Sequence, residues 1–174
     1  MRTEKVRKPL PTLDAKSLET LALRYVERFA TSRSKLARYL VRKLRERGWT
    51  ASAPPPVESI VQRLADLGYI DDRGFGEARA RGLERRGYGA PRVGQDLRAA
   101  GIAEDLRGAI VAALDTRGAA LTYARRRRFG PFGPQPLARE TRTKQFGAML
   151  RAGHDARITA EILGTIDETT LYDA

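Results

Sequence analysis

Apolar residues recur along this chain with a helical period, and no segment shows the strict alternation of a half-buried strand. Leu18, Leu21, Ala22, Tyr25 and Phe29 lie at i, i+3, i+4, i+7 and i+11, one face of a helix. Ser17 is placed to cap its first turn, because a hydroxyl oxygen accepts an otherwise orphaned N–H. Ser34 caps a second predicted helix, with Leu36, Leu40, Val41 and Leu44 as its stripe and Gly48 at its left-handed end. The prolines of 51–56 cannot continue a helix and form a stiff connector. Val57, Ile60, Val61, Leu64 and Leu67 make the next apolar face, which stops at Gly68.

Asp71 or Asp72 opens a helix that carries Phe75, Ala78, Arg79 and Leu83 and ends at 87–89. Pro91 suits the first turn of another, in which Val93 and Leu97 face inward and Gly101 closes the end. Leu106, Ile110, Val111 and Leu114 mark one more, and 119–128 a further one. A loop follows at 129–136, with three prolines and two glycines. The pattern then predicts helices over 137–152, with Phe146, Met149 and Leu150, and behind Asp155, with Ile158, Ile162 and Leu163. The predicted class is all-α.

The helix ends repeat. Leu40, Leu44, Gly48 and Trp49 share their spacing with Val93, Leu97, Gly101 and Ile102, and Met149, Gly153 and His154 repeat the tail of the pattern. A repeat of about 50 residues whose helices cannot bury their own faces must stack on its neighbours. The expected organisation is a flexible basic tail over 1–16, a first unit over 17–50, a linker at 51–56, a second unit over 57–102, a third over 103–164 and a short tail over 165–174.

Charge narrows the function. Lys and Arg number 33 against 21 Asp and Glu, a formal charge of +12, which points to a polyanionic partner. Arg33–Arg47 holds Arg38, Arg42 and Lys43; the middle of the chain holds Arg79, Arg86, Arg92 and Arg98; Arg125, Arg126, Arg127 and Arg128 are consecutive. A solvated helix face accounts for each cluster singly, and three in one chain point to a surface that tracks phosphate or an acidic groove. Tyr39, Trp49, Tyr69, Tyr88 and Phe129 are candidates for stacking beside it.

Catalysis finds no footing. There is no cysteine and a single histidine, His154, so the usual nucleophile–base sets and Cys-based metal sites have no members, and no cofactor is implied. The paired carboxylates Asp71 and Asp72 suit a helix start and its dipole better than a reaction. The glycines at 74–76 and 87–89 lack the Gly-Lys-Ser/Thr ending of a phosphate loop. Absence of cysteine fits a reducing cytoplasm, and no run approaches the ~18 apolar residues of a membrane span.

One stretch is more specific than any of these signals. Tyr69, Ile70, Asp71, Asp72, Phe75, Ala78, Arg79 and Arg81, followed by Arg86, Gly87, Tyr88, Gly89, Pro91, Arg92, Val93, Leu97, Gly101 and Ile102, resembles the centre of the RecX family of bacterial recombinase regulators. The resemblance extends more weakly over 18–163. It implies three tandem three-helix repeats stacked into an elongated, curved array. It also implies a non-enzymatic, monomeric partner of the RecA filament, which inhibits ATP hydrolysis, strand exchange and co-protease activity. Weak binding to single- and double-stranded DNA through the basic surface accompanies it. In this frame Arg38, Arg42, Lys43, Arg92 and Arg98 are the leading contact residues, and Tyr69 and Tyr88 set local packing. The alternative is a sequence-specific DNA-binding protein that uses a helix-turn-helix in its middle repeat.

Overall fold

The computed structural model of the chain describes residues 11–134 and 137–165. The expected all-α class is found: the described residues form nine α-helices, one short 3-10 turn and no strand beyond an isolated bridge between Leu13 and Trp49. They divide into two compact units, with the boundary after Asp72.

The first unit holds α1 (Ala15–Arg28), α2 (Arg33–Arg47) and α3 (Val57–Asp66). Their stripes meet in one core, where Leu13, Leu18, Leu36 and Leu40 are fully buried beside Ile60, Val61, Leu64 and Ile70. The caps of α1 and α2 lie three and two residues before the positions read from the sequence. Asp14 caps α1 by accepting the Ser17 N–H at 2.8 Å, and Ser17 Oγ accepts the Asp14 N–H at 2.9 Å. Ser17 is thus the third residue of a reciprocal capping box. Ser32, not Ser34, caps α2 by accepting the Lys35 N–H at 3.2 Å.

Two expected boundaries move. Residues 1–10 of the expected tail lie outside the described residues, and Leu13 is core rather than tail. Its N–H donates to the Gly48 carbonyl at 3.1 Å, and its carbonyl accepts from the Thr50 N–H at 3.0 Å. The 51–56 segment does not separate two units. It joins α2 to α3, which packs back on α1 and α2 because Ile60, Val61 and Leu64 have their apolar partners there.

The second unit contains two apolar clusters. The first comes from α4 (Asp72–Glu84), α5 (Ala90–Ala99) and α6 (Glu104–Ala112), around Val93, Leu97 and Ile110. Helix α6 therefore groups with the middle helices, not with the last ones. The other cluster comes from α7 (Thr116–Arg127), α8 (Arg139–Arg151) and α9 (Ala156–Gly164), around Ala120, Ala124, Met149 and Ile162. Within the expected loop at 129–136, Gly130–Phe132 is a 3-10 turn. The buried Gly130 N–H donates to Gln145 Oε1 at 2.9 Å, and Phe132 packs on the cluster. Residues 135–136 lie outside the described residues.

Candidate functional site

The two clusters of the second unit meet where backbone touches backbone. The Gly89 N–H, at the start of α5, donates to the Ala152 carbonyl at the end of α8 at 3.0 Å. A Cβ on Gly89 would overlap the Gly153 carbonyl oxygen, so only glycine permits this approach. His154 is buried behind the joint and tilts against Tyr123, with ring centroids 5.3 Å apart. Burial pushes its pKa down, and a hydrogen bond to the Gly87 backbone offsets part of that shift.

Beside this joint runs an open groove of about 380 Å³, lined by Tyr88, Arg92, Tyr123, Arg127, Phe129, Ala148, Arg151 and Ala152. The lining comes from the loop before α5, from α5, from α7 and Phe129 behind it, and from the end of α8. The three rings form a connected set, with Tyr88 and Phe129 at 6.4 and 6.1 Å from Tyr123. The Arg127 guanidinium lies over the Tyr123 ring at 5.6 Å. Arg92, Arg127 and Arg151 are exposed, and no carboxylate lines the groove. Such a surface offers guanidinium forks to an anion and aromatic faces to a flat, apolar group.

The remaining basic candidates have other surroundings. On α2, Arg42 and Lys43 both reach Glu46, at 3.6 and 2.6 Å, and both approach the Tyr39 ring. Arg38 Nη1 donates to Ser34 Oγ at 3.1 Å. Arg79 is a tertiary clamp: it grips the Asp96 carboxylate with Nε and Nη2 and ties α4 to α5. Arg86 folds back on the Gly82 carbonyl at 3.0 Å. Arg98 lies on another side of α5, beside Gln95, Glu104 and Arg107.

The run of four arginines diverges. Arg125 covers Phe132, Arg126 donates to the Arg85 carbonyl at 3.3 Å, Arg127 covers Tyr123, and Arg128 ends α7 in a left-handed conformation. Of the sequence candidates, the groove brings together Arg92, Arg127, Tyr88 and Phe129. It adds Tyr123 and Arg151, which belong to none of the singled-out clusters or stacking candidates. Among the described residues, no three His, Asp or Glu side chains come together as a metal site, and no helix is long and apolar enough to cross a membrane.

A Regulatory protein RecX from Myxococcus xanthus is 30% identical over 167 residues, spanning 90% of this chain and 87% of that protein. The chain belongs to the RecX family. Another RecX, from Stenotrophomonas maltophilia, is 35% identical over 77% of the chain and 76% of its own length. A third, from Agrobacterium fabrum, is 26% identical over 74% of the chain and 72% of its own. No family model matches the sequence. A crystal structure of a regulatory protein RecX superimposes with a TM-score of 0.65 over 86% of this chain and 71% of that one. At 18% identity, this is a likeness of fold.

The RecX-like stretch has structural duties in this chain. Ile70 closes the core of the first unit, and Tyr69, expected to set local packing in the central repeat, is 49% exposed. Asp72 Oδ1 accepts the Arg33 N–H at 2.9 Å, so the second carboxylate of the pair satisfies the start of α2, 39 residues away. Asp71 is exposed, just before α4 begins at Asp72. Phe75 and Tyr88 pack on the middle cluster. Gly87 and Gly89 admit the backbones of α7 and α8, and so build the joint that the groove borders.

Proposed function

We propose that the chain docks on a RecA filament assembled on DNA and restrains its ATP hydrolysis, strand exchange and co-protease activity. The observation that carries this reading is the likeness to regulatory RecX proteins across most of the chain, at 30% identity over 90% of its length. The charge of +12 supports it, since both the filament's DNA and an acidic protein groove attract such a surface. In the proposed mechanism the chain is an array of three helical repeats. That array bridges successive protomers, limits their nucleotide-linked movement and obstructs the path of incoming duplex. Arg38, Arg42 and Lys43 on α2, and Arg92 and Arg98 on α5, contact acidic or phosphate groups. The protein acts as a cytoplasmic monomer, without catalysis of its own, and its affinity for free DNA is weak.

The test is a single-stranded-DNA-dependent RecA ATPase assay with this protein titrated in at physiological salt. Suppression at amounts well below one per RecA is the expected result. An unchanged rate, together with tight binding to one duplex sequence, would replace the filament regulator with the sequence-specific DNA reader.

A further inference from the structure

The groove between α5, α7 and α8 joins Arg92, a contact of the docking reading, to groups which that reading does not use. Its arginines come from three helices, and no acid answers them within it. The Gly89 N–H, just before α5, is already bonded to the Ala152 carbonyl at the end of α8 and is closed to a ligand. A phosphate bound at this place meets the guanidiniums of Arg92, Arg127 and Arg151. The aromatic rings narrow the choice further. Three rings in contact add little to a carboxylate, but they match the flat faces of nucleobases. A duplex keeps those faces stacked inside, and only an unpaired strand presents them. At about 380 Å³ the groove falls within the roughly 300–1,000 Å³ of clefts that hold small organic groups.

We infer that this groove binds a single-stranded segment of nucleic acid, with a base against Tyr88, Tyr123 and Phe129 and the flanking phosphates on Arg92, Arg127 and Arg151. The Arg127 guanidinium, already parked over Tyr123, provides a second planar partner for the base. The inference deepens the proposed function by giving its contact with DNA a place. It is measured without RecA, so its failure leaves the ATPase result standing, and the reverse holds.

The experiment is fluorescence anisotropy of the full chain with a labelled oligothymidylate of about ten nucleotides, a length in the range one such groove tracks. Four comparisons decide it: an abasic strand of equal length, polyglutamate of equal length, the double variant Arg92→Gln/Arg151→Gln, and the control Arg142→Gln/Arg157→Gln. The control removes the same charge from exposed positions outside the groove. The abasic strand is expected to bind about five- to 150-fold more weakly for one lost stacked base. Loss of two phosphate contacts should lower the slope of log affinity against log salt by about 1.4, and the control should leave it unchanged. Equal binding of abasic and normal strands, equal losses in both double variants, or tighter binding of polyglutamate would each overturn the assignment. The abasic comparison uses unaltered protein, so it decides even if a variant folds poorly.

Discussion

Replacing Arg128 by glycine should stabilise this protein, even though it removes one charge from the four-arginine run. The ends of α3, α4, α5, α7 and α8 share one hydrogen-bond pattern, in which a residue of positive φ is followed by a residue whose N–H reaches back over the last turn. At four of them the positive-φ residue is Gly68, Gly87, Gly101 or Gly153. At the fifth it is Arg128, at φ 55° and ψ 47°, with the Phe129 N–H bonded to the Ala124 carbonyl at 2.9 Å. A side chain in that conformation costs about 1–2 kcal/mol, and glycine regains it while losing about 0.5–1 kcal/mol to the greater freedom of the unfolded chain. The net gain for Arg128→Gly is about 0.5–1 kcal/mol, or about 1–4 °C in Tm for a chain of this size.

Gly68→Ala reverses the same exchange. A Cβ there has nothing within 4 Å, so it should cost about as much as Arg128→Gly gains. Gly87→Ala adds overlap, because its Cβ would lie 2.5 Å from the Tyr123 nitrogen, and should cost about 2–4 kcal/mol in all. Urea unfolding followed by far-UV circular dichroism reads the series, with m held constant as the sign that stability alone changes. A lowered midpoint for Arg128→Gly beside the expected loss for Gly68→Ala would show that the Arg128 side chain itself stabilises the fold. No loss for Gly68→Ala would refute the conformational argument outright.

Asp72→Ala removes the acceptor for the Arg33 N–H and should cost about 0.5–2 kcal/mol, with Trp49 fluorescence reporting on the unit that contains α2. A double-mutant cycle on Arg79 and Asp96 should give a coupling of about 0.5–1 kcal/mol, since the pair is bidentate but its side chains are 40% and 26% exposed and water screens them. His154 is held neutral by burial, so its folded-state pKa lies below the ordinary 6.5, and the unfolded chain takes up the proton first. Stability should therefore be full above pH 6.5, fall as pH drops below it, and level off once the folded protein is also protonated; His154→Phe should flatten that part of a pH–Tm profile.

Helix positions are legible in this sequence because each apolar stripe has a partner stripe, and the 3.6-residue period records it directly. Helix starts are less so. Asp14 and Ser17 both belong to one capping box, and a sequence does not say which of the two lies outside the helix. Grouping of helices is harder again. Gly48 and Gly101 mark the ends of α2 and α5, but a terminator of a helix is not a terminator of a packing group, and α3 and α6 return to the helices before them. Arginine destinations are the least legible. Successive side chains on a helix point about 100° apart, so Arg125, Arg126 and Arg127 leave a continuous run in different directions. Arg79 is absorbed by Asp96, 17 residues away, whereas Arg151, outside every arginine cluster in the sequence, lies in the groove.

The stretch around Gly87, Tyr88 and Gly89 thus divides its work in a way that its composition conceals. The glycines set geometry: the backbones of α7 and of the turn behind α8 press on the positions where their side chains would be, and no rotamer change relieves an overlap between a Cβ and main-chain atoms. Tyr88 spans two roles, since it packs on the middle cluster and also edges the groove. The arginines are under no such constraint. Arg92 and Arg151 are exposed, so the fold tolerates many residues there, and their chemistry is set by what approaches from solvent. Substitutions at the joint should therefore reduce stability and groove binding together, whereas substitutions at Arg92 and Arg151 should reduce binding at unchanged stability. That separation distinguishes a surface built to hold a ligand from one that is merely basic.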